Sequence, residues 1–283
     1  MNSSTPRRAL APALLVGLSA ALAFPALAGH AAPRPHTAMP SIIVDSRTFA
    51  ATLPTHIAAG LVSLHMIGMG QPWTGVSLGR LKAGTSRASV ISALKKNDFQ
   101  RLGALGVPYG GVGPAGTLVV KLPAGRYFAY DTEQQTPKRT VRYAYKFFVV
   151  GPSDGAMATP PLTIATITMD DMRFKVPATL PAGLDTIKMV DSDQVDHMAI
   201  TAKIAKGKTL NDVMAYIKAG QNGPPPVDPT TFGGMNVVGP GQTAYLTQRY
   251  TPGLYVILCF VSDPKKGGEL HVAEGMINHF VVR

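Results

Sequence analysis

The chain has 283 residues, 27 of them Lys or Arg against 16 Asp or Glu, for a formal net charge of +11. Its single cysteine excludes an internal disulfide, so stability has to come from core burial. Basic residues are not interleaved with aromatics, there is one tryptophan and no long Lys/Arg cluster. This sets nucleic-acid binding aside and leaves diffuse solubilising charge or an affinity for anionic surfaces.

At the N-terminus, Arg7 and Arg8 precede an apolar run from Ala9 to Leu22, and Ala26-Leu27-Ala28 has the small-x-small pattern that signal peptidase cuts after. Residues 1–28 therefore read as a signal peptide, and the mature chain as exported, periplasmic or extracellular. Removing Arg7 and Arg8 leaves 25 basic residues against 16 acidic ones, a mature charge of +9. No lipobox cysteine follows, and no later segment has the roughly twenty apolar residues needed to span a bilayer, so membrane insertion is not expected. Residues 29–40, with His30 and His36, form an aperiodic, Pro- and Ala-containing flexible arm.

Beyond the arm the sequence repeats itself. Gly60-Leu61 through Gly84 aligns without gaps on Gly183-Leu184 through Gly207, and the register continues to Lys95 and Lys218. Further on, Gly110-Gly111 matches Gly233-Gly234, Gly125-Arg126-Tyr127 matches Gly253-Leu254-Tyr255, and Phe148-Val149-Val150 matches Phe280-Val281-Val282. The pattern predicts a tandem duplication, with units at 41–150 and 162–283 and a Gly/Pro-rich linker at 151–161.

Each unit is mostly strand by its periodicity. In the second, Met172–Val176, Thr186–Val190 and His197–Ile204 are short runs, the last with apolar residues at Met198, Ile200, Ala202 and Ile204. The period then changes. Thr209 is an N-cap candidate with Asp212 three residues on, and Val213, Met214 and Ile217 form a helical stripe closed by Gly220. Ser86, Ser89, Val90, Ile91 and Leu94 predict the matching helix in the first unit. After the proline-rich loop Asn222–Pro229 come a strand from Thr243 to Tyr250, a turn at Thr251-Pro252-Gly253 and two final strands. Short strands with Gly/Pro turns at regular spacing predict an all-β chain of two Greek-key sandwiches, each with one inserted short α-helix.

The only cysteine, Cys259, ends the strand-like run Leu254–Leu258; His271 follows after a polar, Gly-rich excursion, and Met276 precedes the last strand. Thiolate, imidazole and thioether together are the donors of a soft-metal site. The set resembles the C-terminal ligand cluster of the cupredoxins, the blue-copper family of plastocyanin and azurin. His271-x4-Met276 leading into a final strand is similar to the plastocyanin spacing, while eleven residues stand between Cys259 and His271 where the family has few. The resemblance implies two cupredoxin-like sandwiches, the second with copper on His197, Cys259, His271 and Met276, for electron transfer or copper handling with a redox or envelope protein partner. The first unit has Asp131 opposite Cys259, Thr74 opposite His197, and Arg139 and Ala144 near the places of His271 and Met276, so it is expected to hold no such metal. Its role reads as structural or as a binding surface, with Trp73 as an exposed contact or a packing residue.

The other reading is a buried thiol beside a satisfied histidine and a core methionine, which makes the protein a metal-free secreted binding or interaction module. Gly111-Val112-Gly113-Pro114-Ala115-Gly116 spells G-x-G-x-x-G without a following helix, so it reads as turn chemistry. Asp170-Asp171 and Asp191-Ser192-Asp193 read as acidic loops. G-x-S-x-G, H-E-x-x-H and C-x-x-C are absent, and no nucleophile–base pair is visible, so the chain is expected not to be an enzyme.

Overall fold

A computed structural model describes residues 38–45, 50–67, 75–113, 116–131, 145–155 and 158–283, which belong to one compact unit. Residues 1–28, expected as a signal peptide, and His30, His36, Trp73, Thr74, Arg139 and Ala144 lie outside the described residues. The first half contributes β1 (Ser41–Asp45), β2 (Ala50–Thr52), β3 (Ile57–Ala58), β4 (Gly60–Ile67), β5 (Val76–Leu81), α1 (Arg87–Lys95), α2 (Phe99–Leu105), β6 (Gly106–Val112), β7 (Thr117–Leu122), β8 (Gly125–Asp131) and β9 (Tyr145–Gly151). The second contributes β10 (Ala165–Asp170), β11 (Arg173–Lys175), β12 (Thr179–Leu180), β13 (Gly183–Asp191), β14 (His197–Ile204), α3 (Leu210–Lys218), β15 (Val227–Val238), β16 (Thr243–Tyr250), β17 (Gly253–Leu258), β18 (Ser262–Asp263), β19 (Glu269–Leu270) and β20 (Ile277–Val282).

Two large sheets carry the architecture. One runs β11-β10-β13-β16-β7-β4-β1-β2, the other β12-β20-β17-β14-β15-β6-β5-β8-β9-β3. Both orders read as mirror images about their middle, where β16 pairs antiparallel with β7 and β15 with β6. From there outward each strand faces its sequence counterpart: β13 and β4, β10 and β1 in one sheet; β14 and β5, β17 and β8 in the other. The halves expected as two sandwiches joined by a linker thus share both sheets. Pairing β7 to β16 satisfies backbone groups that would otherwise lie on open sheet edges.

Strand alternation places the core between the sheets. Val62, Leu64 and Met66 on β4 and Ile187 and Met189 on β13 point inward and are fully buried. Tyr255 stacks on Phe280 (5.5 Å between centroids, 13° between planes), and in the first half Tyr127 stacks on Phe148 (5.4 Å, 18°). Each tyrosine hydroxyl is fixed four residues back along the chain, Tyr127 donating to the Pro123 carbonyl and Tyr255 accepting from the Thr251 N–H.

The helices start where their capping residues predict. Ser86 accepts from Ser89 N–H, and Thr209 and Asp212 form a reciprocal capping box. The first half has a second helix that periodicity did not announce. Asn97 turns the chain through a left-handed conformation (φ 53°), and the Asp98 side chain caps α2 by accepting from Arg101 N–H. No helix among the described residues is long and apolar enough to cross a membrane.

Candidate metal centre

The site is built from four segments at one end of the second half. β14 begins at His197, and between His197 and Ala199 the facing strand β15 carries one extra residue, from Val238 to Met235. His197, Ala199 and Thr201 point inward, whereas Met198 and Ile200, apolar in sequence, lie on the outer face. Gly234 makes the close approach possible. It pairs with Ile200, just past this register shift, with φ +109°, and a Cβ there would lie 2.0 Å from the Ala199 carbonyl oxygen.

Cys259 follows β17, and the polar detour after it folds into a small closed hairpin. β18 pairs with β19, Asp263 caps the 3-10 turn Pro264–Lys266 by accepting from Lys265 N–H, and Gly267 takes the left-handed conformation. At its base His271 N–H donates to the Val261 carbonyl and Val272 N–H to the Cys259 carbonyl, both at 2.8 Å. The eleven intervening residues therefore return His271 to the cysteine. A closed loop of this kind lengthens at small entropic cost. Met276 N–H then donates to the His271 carbonyl (2.8 Å), and Cys259 N–H to the Met276 carbonyl (3.3 Å).

Three donor atoms converge. His197 Nδ1 lies 3.2 Å from His271 Nδ1, and Cys259 Sγ lies 3.4 Å from His271 Nδ1 and 3.8 Å from His197 Nδ1. A triangle with those sides has a centre about 2.0 Å from every corner, close to the bond lengths at which imidazole nitrogen and thiolate sulfur hold a small cation. All three residues are buried, as is Met276. Two imidazoles and one thiolate in a trigonal set are donors suited to copper, and the backbone of Met276 is hydrogen-bonded to both His271 and Cys259. The residues present thus fit the ion that the sequence resemblance implies.

Electrostatics favour the uncharged forms until a cation arrives. Burial, with the Asp191 carboxylate adding to it, pushes the Cys259 thiol up to about 11, against the N–H groups of Met198 and Val261 that point at the sulfur. Burial and the neighbouring His197 ring lower the His271 pKa. His271 also borders a groove of about 1100 Å³ on the outer face of the ten-stranded sheet, lined by Met198, Ile200, Phe232, Phe260 and Leu270 among others.

One contributor was overlooked in the sequence. Asp193, read there as part of an acidic loop, places Oδ2 3.1 Å from His197 Nε2. Its i−4 spacing from His197 is the signal that could have pointed to it. In the first half, Asp131 occupies the place matching Cys259 and is buried, so no thiolate is available there.

No protein-family model matches the chain, and no curated protein matches it. Among solved structures, an auracyanin from Roseiflexus castenholzii is 20% identical with a TM-score of 0.28, covering 42% of this chain and 95% of its own. Auracyanin A from Chloroflexus aurantiacus, described as a blue copper protein, is 20% identical with a TM-score of 0.28, covering 44% of this chain and all of its own. A multicopper oxidase from Campylobacter jejuni is 10% identical with a TM-score of 0.25, covering 86% of this chain and 55% of its own.

Fold and site together define the class: an all-β sandwich with a His-Cys-His cluster in its second half. The expectation that the chain is not an enzyme is withdrawn, because the neighbours spanning most of it are multicopper oxidases, and metal redox chemistry needs no nucleophile–base pair. At 10% identity that likeness concerns fold and assigns no reaction to this chain.

Proposed function

We propose that the second half binds one copper ion through His197, Cys259 and His271, with Met276 as the weak fourth ligand, and that the protein is exported and serves electron transfer or copper handling. The observation that carries this reading is the convergence of two Nδ1 atoms and one Sγ on a common centre inside a buried pocket. The ion, when bound, supplies one-electron chemistry and the positive charge that holds Cys259 as a thiolate. The chain's own residues exclude water, fix the imidazoles with Nδ1 inward, and present two backbone N–H groups to the sulfur.

His271, on the wall of the outer groove, is the ligand nearest to an approaching partner. A redox or envelope protein partner fits this position. The mirror-image strand orders and the matched Tyr–Phe stacks support an origin by tandem duplication, with halves 41–150 and 162–283. Only the second kept, or gained, the donors.

Titration of the mature protein with Cu(II) tests the reading. One equivalent is expected to produce an intense visible thiolate-to-copper charge-transfer band, absent from Cys259→Ser. With no band, and no Cu(I) uptake in a chelator competition, the metal reading fails and the module reading replaces it.

A further inference from the structure

Resting on the copper reading above, we propose that Asp193 is a positioning residue: its carboxylate holds the Nε2 proton of His197 so that the Nδ1 lone pair faces the metal, and it strengthens that imidazole as a donor.

The carboxylate is fixed from several sides. Asp193 Oδ2 lies 3.1 Å from His197 Nε2 and accepts from the Met172 N–H (3.0 Å), while Oδ1 accepts from the Gln194 N–H (2.7 Å). Its own N–H donates to Asp191 Oδ1 (3.1 Å). Two backbone donors keep the group an acceptor toward the ring, so Nε2 must carry the proton. In a neutral imidazole that leaves Nδ1, the atom facing Cys259 and His271, with its lone pair free.

The support comes from an unusual place. The tip of the β10–β11 hairpin has two consecutive non-glycine residues in the left-handed region, Asp171 (φ 50°) and Met172 (φ 55°), where such turns favour Asn-Gly. Left-handed backbone in a residue like methionine persists only where its surroundings hold it. The Met172 N–H is the group this conformation aims at Asp193. Hairpin, carboxylate and imidazole thus form a chain running from an edge hairpin to the donor triangle.

An anion hydrogen-bonded behind a ligand imidazole makes it a better donor to the more highly charged ion, which lowers the reduction potential. Replacing the carboxylate with an amide keeps a hydrogen-bond acceptor but removes the charge. Asp193→Asn and Asp193→Ala therefore separate positioning from charge.

The test combines nitrogen-15 NMR of the His197 ring in the metal-free protein with Cu(I) affinity and reduction potential of the copper-loaded protein. Wild type is expected to show the Nε2–H tautomer, retained in Asp193→Asn and lost to a mixture in Asp193→Ala. Copper affinity should fall about tenfold to a hundredfold in Asp193→Ala. The potential should rise in Asp193→Asn. The inference is overturned if the tautomer is unchanged in Asp193→Ala, or if wild type loads copper and both variants match its affinity and potential. If wild type binds no copper but the tautomer responds to Asp193→Ala, positioning stands and the copper reading alone falls.

Discussion

Metal binding at this site should be coupled to the loss of one proton, and the coupling can be worked from the burial of Cys259. The thiol titrates at about 11 in the metal-free protein, so it is protonated at neutral pH and must lose its proton to become a ligand. His271, whose pKa is lowered, is already neutral at that pH and releases nothing. Below the thiol pKa, affinity therefore gains about tenfold per pH unit, since one unit is worth about 1.4 kcal/mol. Between about pH 7 and about pH 9 the gain is about a hundredfold, or about 2.7 kcal/mol. Competition against a Cu(I) chelator, corrected for the chelator's own protonation, reads the slope directly. Cys259→Ser should bind weakly and lose the slope. A flat affinity over the same range in wild type would mean that the thiol is already ionised or does not ligate, and the account of the pocket would be wrong.

Gly234→Ala should be among the most damaging single substitutions, costing at least about 3 kcal/mol in urea unfolding, because the new methyl group would overlap the Ala199 carbonyl on the strand carrying His197. A loss under about 1 kcal/mol would show that β14 yields easily. Asp191 sits buried with Oδ2 unpartnered, and burial raises its carboxyl to about 7, with Asp193 and Asp196 adding to the rise. A carboxyl raised on folding binds protons more tightly in the native state, so stability falls as pH climbs from the unfolded value near 3.8 through about 7. Asp191→Asn, whose side-chain oxygen can still accept from Asp193 N–H, should stabilise the protein at about pH 8 and give no gain near pH 3; equal effects at both would remove the explanation. Met172→Gly should relieve the left-handed backbone, stabilising the fold by about 1 kcal/mol in the same assay while keeping the N–H that Asp193 accepts from; destabilisation would show that the methionine side chain matters more than its φ.

How legible the site was depended on the distance between residues along the chain. Cys259, His271 and Met276 could be read as a set because they are close in sequence and chemically distinct. The return of His271 could not be read, since it depends on an Asp263 cap and a left-handed Gly267 that close the hairpin. His197 was found by its place at a strand start; the apolar residues Met198 and Ile200 alternate with it and lie on the opposite face, which is also covered, so alternation alone could not say which face holds the site. Asp193 carried no signal beyond its spacing, because its partner at Met172 belongs to another hairpin. Helix α2 was missed because its start depends on one left-handed asparagine rather than on an apolar stripe.

Sequence alone determined the local matters: strand periodicity, both capping residues, and the glycines that mark the turns. These follow from the backbone preferences of neighbouring residues, which are written within a few positions of one another. Tertiary structure alone decided that the halves share two continuous sheets and that two imidazoles and a thiol, separated by up to 74 positions, meet around one point. Edge pairing and donor convergence depend on which surfaces the sheets bring together, and no short window of sequence contains both sides of such a contact.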